Sequence, residues 1–185
     1  MGLIKRKLYA LGVGNSLREN IDSELPDYSI QFYDYDKTEL SQKDFQKIMD
    51  IFPYEVMVFK TLNGFSFISL SLIEGWKYTK EKASELSKEL NEDYTSGMKE
   101  LVIRIGAKFD RKTHKEISHK PYFIGMGKIS LSSTFISENH LNLLYNFNLI
   151  PDWVYQYYTE FHTLRNFKIH FFNYYTKYKK WWKNL

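Results

Sequence analysis

The sequence of 185 residues contains no cysteine, which excludes disulfide bonds and every metal site built on thiolates. No apolar run approaches the roughly eighteen residues needed to span a bilayer, and residues 1–7 lack the apolar stretch of a secretory signal. Internal repeats, low-complexity tracts and linkers rich in Pro, Gly and Ser are also missing. These absences predict one cytoplasmic domain without a membrane span.

The composition is that of a folded protein. Hydrophobic residues make up 43% of the chain and charged residues 26%, proportions that argue against disorder. Aromatic residues reach 18%, an enrichment that an AT-rich genome explains in most places, so we give them functional weight only where they cluster with charge. The net charge is +4, and the basic excess lies near the C-terminus. Basic residues that cluster in one segment favour binding to nucleic acid.

The pattern of apolar and turn residues predicts an α+β domain with a mostly antiparallel sheet flanked by helices. Alternating residues predict strands, helical spacing after a Ser or Thr predicts helices, and Asn63-Gly64 between two strand-like runs predicts a hairpin. We expect residues 1–150 to form the core and residues 151–185 a basic, aromatic helical segment packed on the same domain. The predicted elements are a strand or helix over 3–13, a strand over 28–35, a helix from Ser41 to Pro53, hairpin strands over 54–60 and 65–72, a helix over 79–91 capped by Thr79, strands over 100–105 and 122–131, and helices that begin at Ser137 and Pro151.

Asp34 and Asp36 are the first candidate functional residues. They end an apolar strand, and because residues two apart on a strand point to the same side, both carboxylates should face together. A divalent cation relieves the repulsion between such carboxylates, and Mg²⁺ or Mn²⁺ with oxygen ligands is what nucleotidyl transfer requires. The simpler alternative is an acidic turn that leaves a strand, with Asp36 or Thr38 capping the next element.

Two further segments have the polar, cationic or small residues that phosphate recognition uses. Arginine contacts phosphate in a bidentate manner and lysine acts as a point charge, while glycine lets the backbone approach a ligand closely. The alternatives are a purely structural turn and solvated charge on an edge strand. The residues are Lys60, Asn63, Gly64 and Ser66 at the hairpin, and Arg104 and Lys108 on the next strand.

Taken in order, these segments resemble the motifs of the archaeo-eukaryotic primase superfamily. A hydrophobic strand ends in Asp-x-Asp at Asp34 and Asp36, and the hairpin has a small-Gly-aromatic sequence at Asn63-Gly64-Phe65. The stretch over residues 101–108 is similar to the Leu-Arg-Ile-Ser-Pro-Lys strand of virus- and plasmid-borne relatives, and a Lys-Pro pair follows it in both. The resemblance covers about residues 28–130 and implies a primase-like catalytic core that binds Mg²⁺ or Mn²⁺ and nucleotide.

The chain departs from this family at two positions. Ser66 stands where the family has the histidine that contacts the nucleotide phosphates. No hydrophobic-Asp motif for a third metal ligand follows the hairpin, and Asp110 is the nearest carboxylate. The resemblance therefore implies a replication protein that binds nucleotide and single-stranded DNA with weak nucleotidyl transfer. The alternatives are a catalytically inactive accessory subunit that holds DNA or another replication protein, and a host-interaction protein outside replication.

The C-terminal end interleaves aromatic residues with lysines. This combination offers stacking platforms together with neutralisation of the phosphate backbone, as in proteins that bind single strands. Two alternatives remain open: a helix lying on a membrane surface, which also favours Trp and Lys, and a helix docked on a partner or on the core. The candidate nucleic-acid-binding residues are Lys177, Lys179, Lys180, Trp181, Trp182 and Lys183.

Overall fold

The computed structural model describes residues 8–14, 28–74, 76–90, 102–129 and 136–161. These ranges contain seven strands and four helices, so the predicted α+β class is confirmed. In chain order the elements are β1 (Leu8–Gly14), β2 (Tyr28–Tyr35), α1 (Gln42–Asp50), β3 (Val56–Lys60), β4 (Phe65–Glu74), α2 (Trp76–Glu89), β5 (Val102–Asp110), β6 (Glu116–Ser118), β7 (Tyr122–Lys128), α3 (Glu138–Asn146) and α4 (Asp152–Phe161).

The strands form two antiparallel sheets. The larger sheet has the order β2-β4-β3-β7 and the smaller one the order β1-β5-β6, and every pair of neighbouring strands is antiparallel. The antiparallel arrangement was predicted, but its division into two sheets was not. The smaller sheet is built on the pairing of β1 with β5. These strands are about ninety residues apart in the chain, so no local pattern indicates that they pair.

Helices cover both faces of the larger sheet. Alternation along β2 directs Ile30 and Phe32 into one hydrophobic cluster and Tyr33 and Tyr35 into another on the opposite face. α1 and α2 pack on the tyrosine face. α3, α4 and Ile105 of β5 pack on the other face, so the smaller sheet approaches the larger one from that side.

Local signals in the sequence set several of these boundaries. Ser41 caps α1 as predicted, since its side chain accepts a hydrogen bond from the Asp44 amide at 3.1 Å. Ser137 likewise caps α3. β3 and β4 pair as the predicted hairpin, closed by a 3.0 Å hydrogen bond from the Thr61 amide to the Gly64 carbonyl.

Other predicted boundaries need correction. α2 begins at Trp76, so Thr79 lies inside the helix and does not cap it. β5 extends to Asp110, beyond the predicted end at residue 105, because it pairs along its length with β1 and then with β6. The short strand β6 was not predicted. Within the described residues, no helix has the length and apolar character needed to cross a bilayer.

A buried carboxyl lies in the core immediately before β3. Glu55 precedes β3 and is almost fully buried, and its carboxyl accepts a 2.7 Å hydrogen bond from the Ser71 hydroxyl. Burial raises the pKa of Glu55, and the bond from Ser71 opposes this only in part. Burial also raises the pKa of Tyr158 well above its usual range, with the negative charge of Glu55 adding to the effect.

Candidate functional site

A cavity of about 370 Å³ lies between the larger sheet and β5–β6. Its volume is near the lower end of the ~300–1,000 Å³ range of small-molecule pockets. It brings together six of the nine predicted site residues that lie in the described ranges, although they come from segments that are far apart in the chain. The lining residues are Phe32, Asp34, Asp36, Phe59, Thr61, Asn63, Phe65, Ser66, Ile68, Arg104, Lys108, Ile117, Ser118, Pro121, Leu144 and Leu149.

Asp34 and Asp36 face this cavity together, as their spacing predicts. Both side chains are exposed and lie on the same side of the strand end as Phe32. In the β2–β4 pairing Asp34 lies opposite Ser66, whose hydroxyl donates a hydrogen bond to the Asp34 carboxylate. The register of two strands therefore places a hydroxyl and a carboxylate side by side at the cavity wall.

The residues on either side of Asp36 are held by contacts with α1 and with the end of α2. The Tyr35 hydroxyl donates a 2.8 Å hydrogen bond to the Asp44 carboxylate on α1, and this bond is the main reason why the pKa of Asp44 lies below its usual value. The Lys37 ammonium donates a 2.6 Å hydrogen bond to the Leu90 carbonyl at the end of α2. These contacts fix the backbone on both sides of Asp36.

Lys60 is not among the residues that line the cavity, and its contact with phosphate stays a prediction. Its ammonium donates a 2.8 Å hydrogen bond to the Thr38 carbonyl and lies 3.8 Å from the centre of the Phe65 ring, and partial burial lowers its pKa. The reason is strand alternation: Phe59 faces the cavity, so Lys60 points to the other face. Lys60 supports the segment after Asp36 instead.

Gly64 has a structural role at the hairpin. A β-carbon at this position would lie 1.8 Å from the Tyr35 carbonyl oxygen, far inside van der Waals contact, so only glycine lets the turn pack against β2. Asn63 has an ordinary negative φ: in the described ranges the non-glycine residues with positive φ are His114 and Asn148. The Asn-Gly pair thus predicted the hairpin correctly, and the glycine is required because the turn lies against the Tyr35 backbone.

The opposite wall supplies two cations from β5. Arg104 and Lys108 both line the cavity, and the Arg104 guanidinium donates a 2.9 Å hydrogen bond to the Ser118 hydroxyl on β6. Burial lowers the pKa of Arg104, and the negative charge of Asp34 opposes that shift. An arginine remains protonated in this setting. Two cationic side chains of β5 therefore lie across the cavity from the carboxylates of Asp34 and Asp36.

Asp110 is not brought to the cavity. Its carboxylate accepts hydrogen bonds from the Lys112 and Thr113 amides, both at 2.9 Å, and so caps the β5–β6 turn. Across the described ranges, Asp34 and Asp36 are joined by no third His, Cys, Asp or Glu in a group that could hold a metal. Two carboxylates suit Mg²⁺ only when it keeps waters and takes further ligands from bound phosphates. The donor set therefore fits a cation that arrives with a nucleotide and does not fit a permanently bound one.

Several lining residues were not predicted as site residues. Thr61 is next to the predicted hairpin residues, and Ser118 and Pro121 belong to the segment of the primase resemblance. Leu144 and Leu149 come from α3 and the turn after it. No signal in the sequence could assign these two leucines to the site, because they are ordinary core residues in every local respect.

The predicted C-terminal nucleic-acid-binding residues lie outside the described residues, which end at 161. The described part of that segment, α4, packs Val154 and Tyr157 into the cluster shared with β2 and α3. No protein-family model matches the chain, and neither a curated protein nor a solved structure matches it.

Proposed function

We propose that this protein is a primase-like replication protein that binds a nucleotide, or the end of a single nucleic-acid strand, in the cavity between its two sheets, with weak nucleotidyl transfer. The observation that carries the proposal is the charge arrangement. Arg104 and Lys108 line one wall, Asp34 and Asp36 the other, and all four reach the same cavity. Nucleotide phosphates need such cations, and the magnesium ion that accompanies a triphosphate needs carboxylates.

The division of roles follows from the chemistry of each group. Arg104 has a planar guanidinium suited to paired phosphate oxygens, while Lys108 supplies a compact positive charge four residues along β5. Asp34 and Asp36 would hold Mg²⁺ or Mn²⁺ bound to the phosphates, where the ion would neutralise charge on the triphosphate. Asn63 and Thr61 also line the cavity, where their polar groups can contact phosphate or sugar.

Weak transfer is expected because Asp34 already has partners. The Ser66 hydroxyl donates to its carboxylate, and Asp34 is close enough to Arg104 to influence the pKa of its guanidinium. Ser66 also lacks the positive charge that a histidine at its position could offer to phosphates. The same features fit the second candidate function equally well. That candidate is an accessory subunit with the same cavity that binds nucleotide or a strand end without polymerising.

Binding is tested by calorimetric titration of the full chain with nucleoside triphosphate and Mg²⁺. Arg104→Met and Lys108→Met should each weaken binding by roughly tenfold to a hundredfold, since a hydrogen bond to a charged group contributes about 1.5–3 kcal/mol. Lys112→Met is the matched control, because it removes the same charge from the exposed β5–β6 turn. Equal affinities for all four proteins would remove the cavity from consideration.

Primer synthesis separates the two candidates. The wild-type chain with Mn²⁺ or Mg²⁺ should give little product beyond that of an Asp34→Ala/Asp36→Ala control, even at nucleotide concentrations that saturate the cavity. Ser66→His should raise synthesis only if a third metal ligand completes the site. Robust synthesis by the wild-type protein would show that Ser66 does not limit nucleotidyl transfer.

A further inference from the structure

The large hydrophobic side chains that remain exposed lie close to the cavity. Among the residues that the structure describes there are four of them, and each either lines the cavity or is at most two positions along the chain from a lining residue. Exposed apolar residues that are scattered singly need no explanation, whereas a concentration beside one cavity indicates a binding surface. The four residues are Leu62, Ile117, Tyr122 and Phe147.

Tyr122 lies at the end of the larger sheet that also carries the two carboxylates. The pairing register places it in a row that crosses β7, β3, β4 and β2, and Asp36 directly follows the β2 member of the row. Neighbouring strands are about 4.8 Å apart, so Tyr122 and that β2 residue are separated by roughly 14 Å. A ligand longer than one nucleotide can therefore contact both. The row is Tyr122, Lys60, Phe65 and Tyr35.

The Tyr122 side chain lies outside the cavity. Neighbours across two strands share a face of the sheet, so Tyr122 points with Lys60 away from the cavity. Pro121, the residue before it, lines the cavity. The chain therefore passes from the cavity wall to an exposed aromatic ring within one residue, and a strand that leaves the cavity over this sheet end meets that ring.

The surroundings of Tyr122 are aromatic and cationic. The centre of the His119 ring lies 5.7 Å from that of Tyr122. The exposed Lys120 ammonium donates hydrogen bonds of 3.2 and 3.4 Å to the carbonyls of Phe147 and Asn148, which hold the β6–β7 connection against the end of α3. An ammonium has three donors, so Lys120 keeps one donor and its charge for a ligand. The aromatic platform is defined as His119, Lys120, Tyr122 and Phe147.

The segment that carries most of the platform is strongly basic. Residues 102–129 contain seven Lys and Arg residues against two acidic ones, which makes them a second basic region besides the C-terminal one. Of the two acids, Asp110 caps the β5–β6 turn. Arg111 and Lys115 are exposed on that turn, and the ion pairs between described residues lie on α1 and α2. The platform therefore lies in a field that attracts polyanions.

We propose that the aromatic platform binds a single strand of nucleic acid outside the cavity, with unpaired bases stacked on Tyr122 and Phe147 and the phosphate backbone at Lys120. The inference deepens the function proposed above and rests on it, since the cavity holds the end of the same strand. Aromatic rings combined with cations are how proteins bind single strands without sequence preference. A duplex has no unpaired base to stack, so it should bind more weakly.

A second copy of this chain, or another apolar protein, fits the platform less well. The Lys120 ammonium beside Phe147 would lose hydration under an apolar partner and gain no counter-charge. A phosphate backbone neutralises that ammonium and releases counterions as it binds. The charge of the platform therefore favours nucleic acid.

The test measures fluorescence anisotropy of a short labelled single-stranded oligonucleotide with the full chain. Tyr122→Leu keeps an apolar side chain and removes the flat ring, so affinity should fall about fivefold or more, the low end of what base stacking contributes. Phe147→Leu makes the same change on a different element and should act in the same direction. Tyr122→Trp restores a stacking surface and should bind at least as tightly as the wild type. Tyr54→Leu is the matched control, because Tyr54 precedes β3 at the other end of the larger sheet.

A salt series separates the cation from the rings. Lys120→Met should reduce the slope of log affinity against log salt concentration by about 0.7, the change expected when a single strand loses one phosphate contact. Tyr122→Leu should lower affinity and leave that slope unchanged. Lys88→Met is the control for charge, because Lys88 is exposed on α2, which packs beside β2 at the opposite edge of the sheet from β7.

Three results would overturn the inference. Wild-type oligonucleotide affinity in both Tyr122→Leu and Phe147→Leu would remove the platform, and adenosine triphosphate still bound in the cavity would then leave the proposed function standing. Equal affinity for the single strand and its duplex would show that backbone charge alone is recognised. A dimer in sedimentation that Tyr122→Leu dissociates, with no effect on the oligonucleotide, would assign the platform to a second copy of the chain. Platform-dependent oligonucleotide binding without binding of adenosine triphosphate would instead support the platform and contradict the nucleotide site.

Discussion

Single residues decide how closely the hairpin approaches the carboxylates. Gly64 brings the turn against the backbone of Tyr35, the residue that separates Asp34 from Asp36. The cavity therefore depends on a position with no side chain of its own. Gly127 also packs closely, but its nearest neighbour would be the flexible Met49 side chain at 2.8 Å, on the other face of the sheet.

Gly64→Ala should lower the free energy of unfolding by about 1–3 kcal/mol, because overpacking against a rigid backbone cannot be relieved by a rotamer change. It should also weaken nucleotide binding, since Asp36 must move with the strand end. Urea denaturation and calorimetric titration measure the two effects. Gly127→Ala is the control: it should cost less stability and leave binding unchanged. A Gly64→Ala variant with wild-type stability and affinity would show that the turn does not press on β2.

Glu55 predicts how stability depends on pH. Its pKa in the folded protein is raised above the usual 4.5, so the folded state holds the proton more tightly than the unfolded state. The stabilising effect of that proton is fully present below about pH 4.5 and is lost as the pH rises through the raised pKa. Glu55→Gln keeps an acceptor for Ser71 and has no such proton, so its stability should not fall over that window.

The comparison requires urea denaturation of both proteins at a series of pH values. The wild-type curve should decline relative to Glu55→Gln from about pH 4.5 upward. The exposed Glu116 on β6 provides the control, because Glu116→Gln should follow the wild-type curve. Parallel curves for wild type and Glu55→Gln would show that the carboxyl is better solvated than its burial indicates.

Among the elements, those with local signals agree with the sequence predictions. Ser41 specifies the start of α1 through one side-chain bond, and the Asn63-Gly64 pair specifies the hairpin. The predicted start of α2 at Thr79 was wrong, because a residue type that caps helices also occurs inside them. The helix begins about one turn earlier, at Trp76. The limits of β5 were missed since they depend on β1 and β6, which are distant in sequence or very short.

Ser41→Ala should lower the free energy of unfolding by about 1 kcal/mol, since it leaves the Asp44 amide without its cap. α1 supplies Phe45, Ile48 and Met49 to the core beneath Tyr35, so the loss should appear in global unfolding. Ser41→Asp retains an acceptor and should stay close to wild type in the same denaturation experiment. Equal losses in both variants would show that the hydroxyl acts elsewhere.

On the scale of the whole molecule, the site depends on how two sheets are placed against each other. Spacing along β2 predicted that Asp34 and Asp36 face together, and the primase resemblance predicted that Ser66 and Arg104 belong to the same site. Neither could show that Lys60 points to the opposite face or that Leu149 lines the cavity. Those facts depend on strand phase and on long-range packing, which no short segment determines.

The basic end of the chain, residues 177–185, remains a prediction at this scale. Its lysines should neutralise phosphates and release counterions, so deleting residues 177–185 should lower the affinity for single-stranded DNA and flatten its salt dependence. Trp181→Ala and Trp182→Ala should lower affinity by about 1–3 kcal/mol per stacked base and leave the salt slope unchanged. Fluorescence anisotropy of a labelled oligonucleotide across a salt series measures both. Equal affinity with and without the end would place it outside the binding surface.

Nucleotide binding in the cavity between the two sheets is tested by an NMR titration of the full chain with adenosine triphosphate and Mg²⁺. Binding there should shift the amide signals of Asn63 and Ser66 on one wall and of Arg104 and Ser118 on the other, and these shifts should saturate together. A second groove, between α1 and α2, is lined by Lys47, Glu85 and Glu89 and should not respond. Shifts confined to that groove, or none at millimolar nucleotide, would contradict the claim.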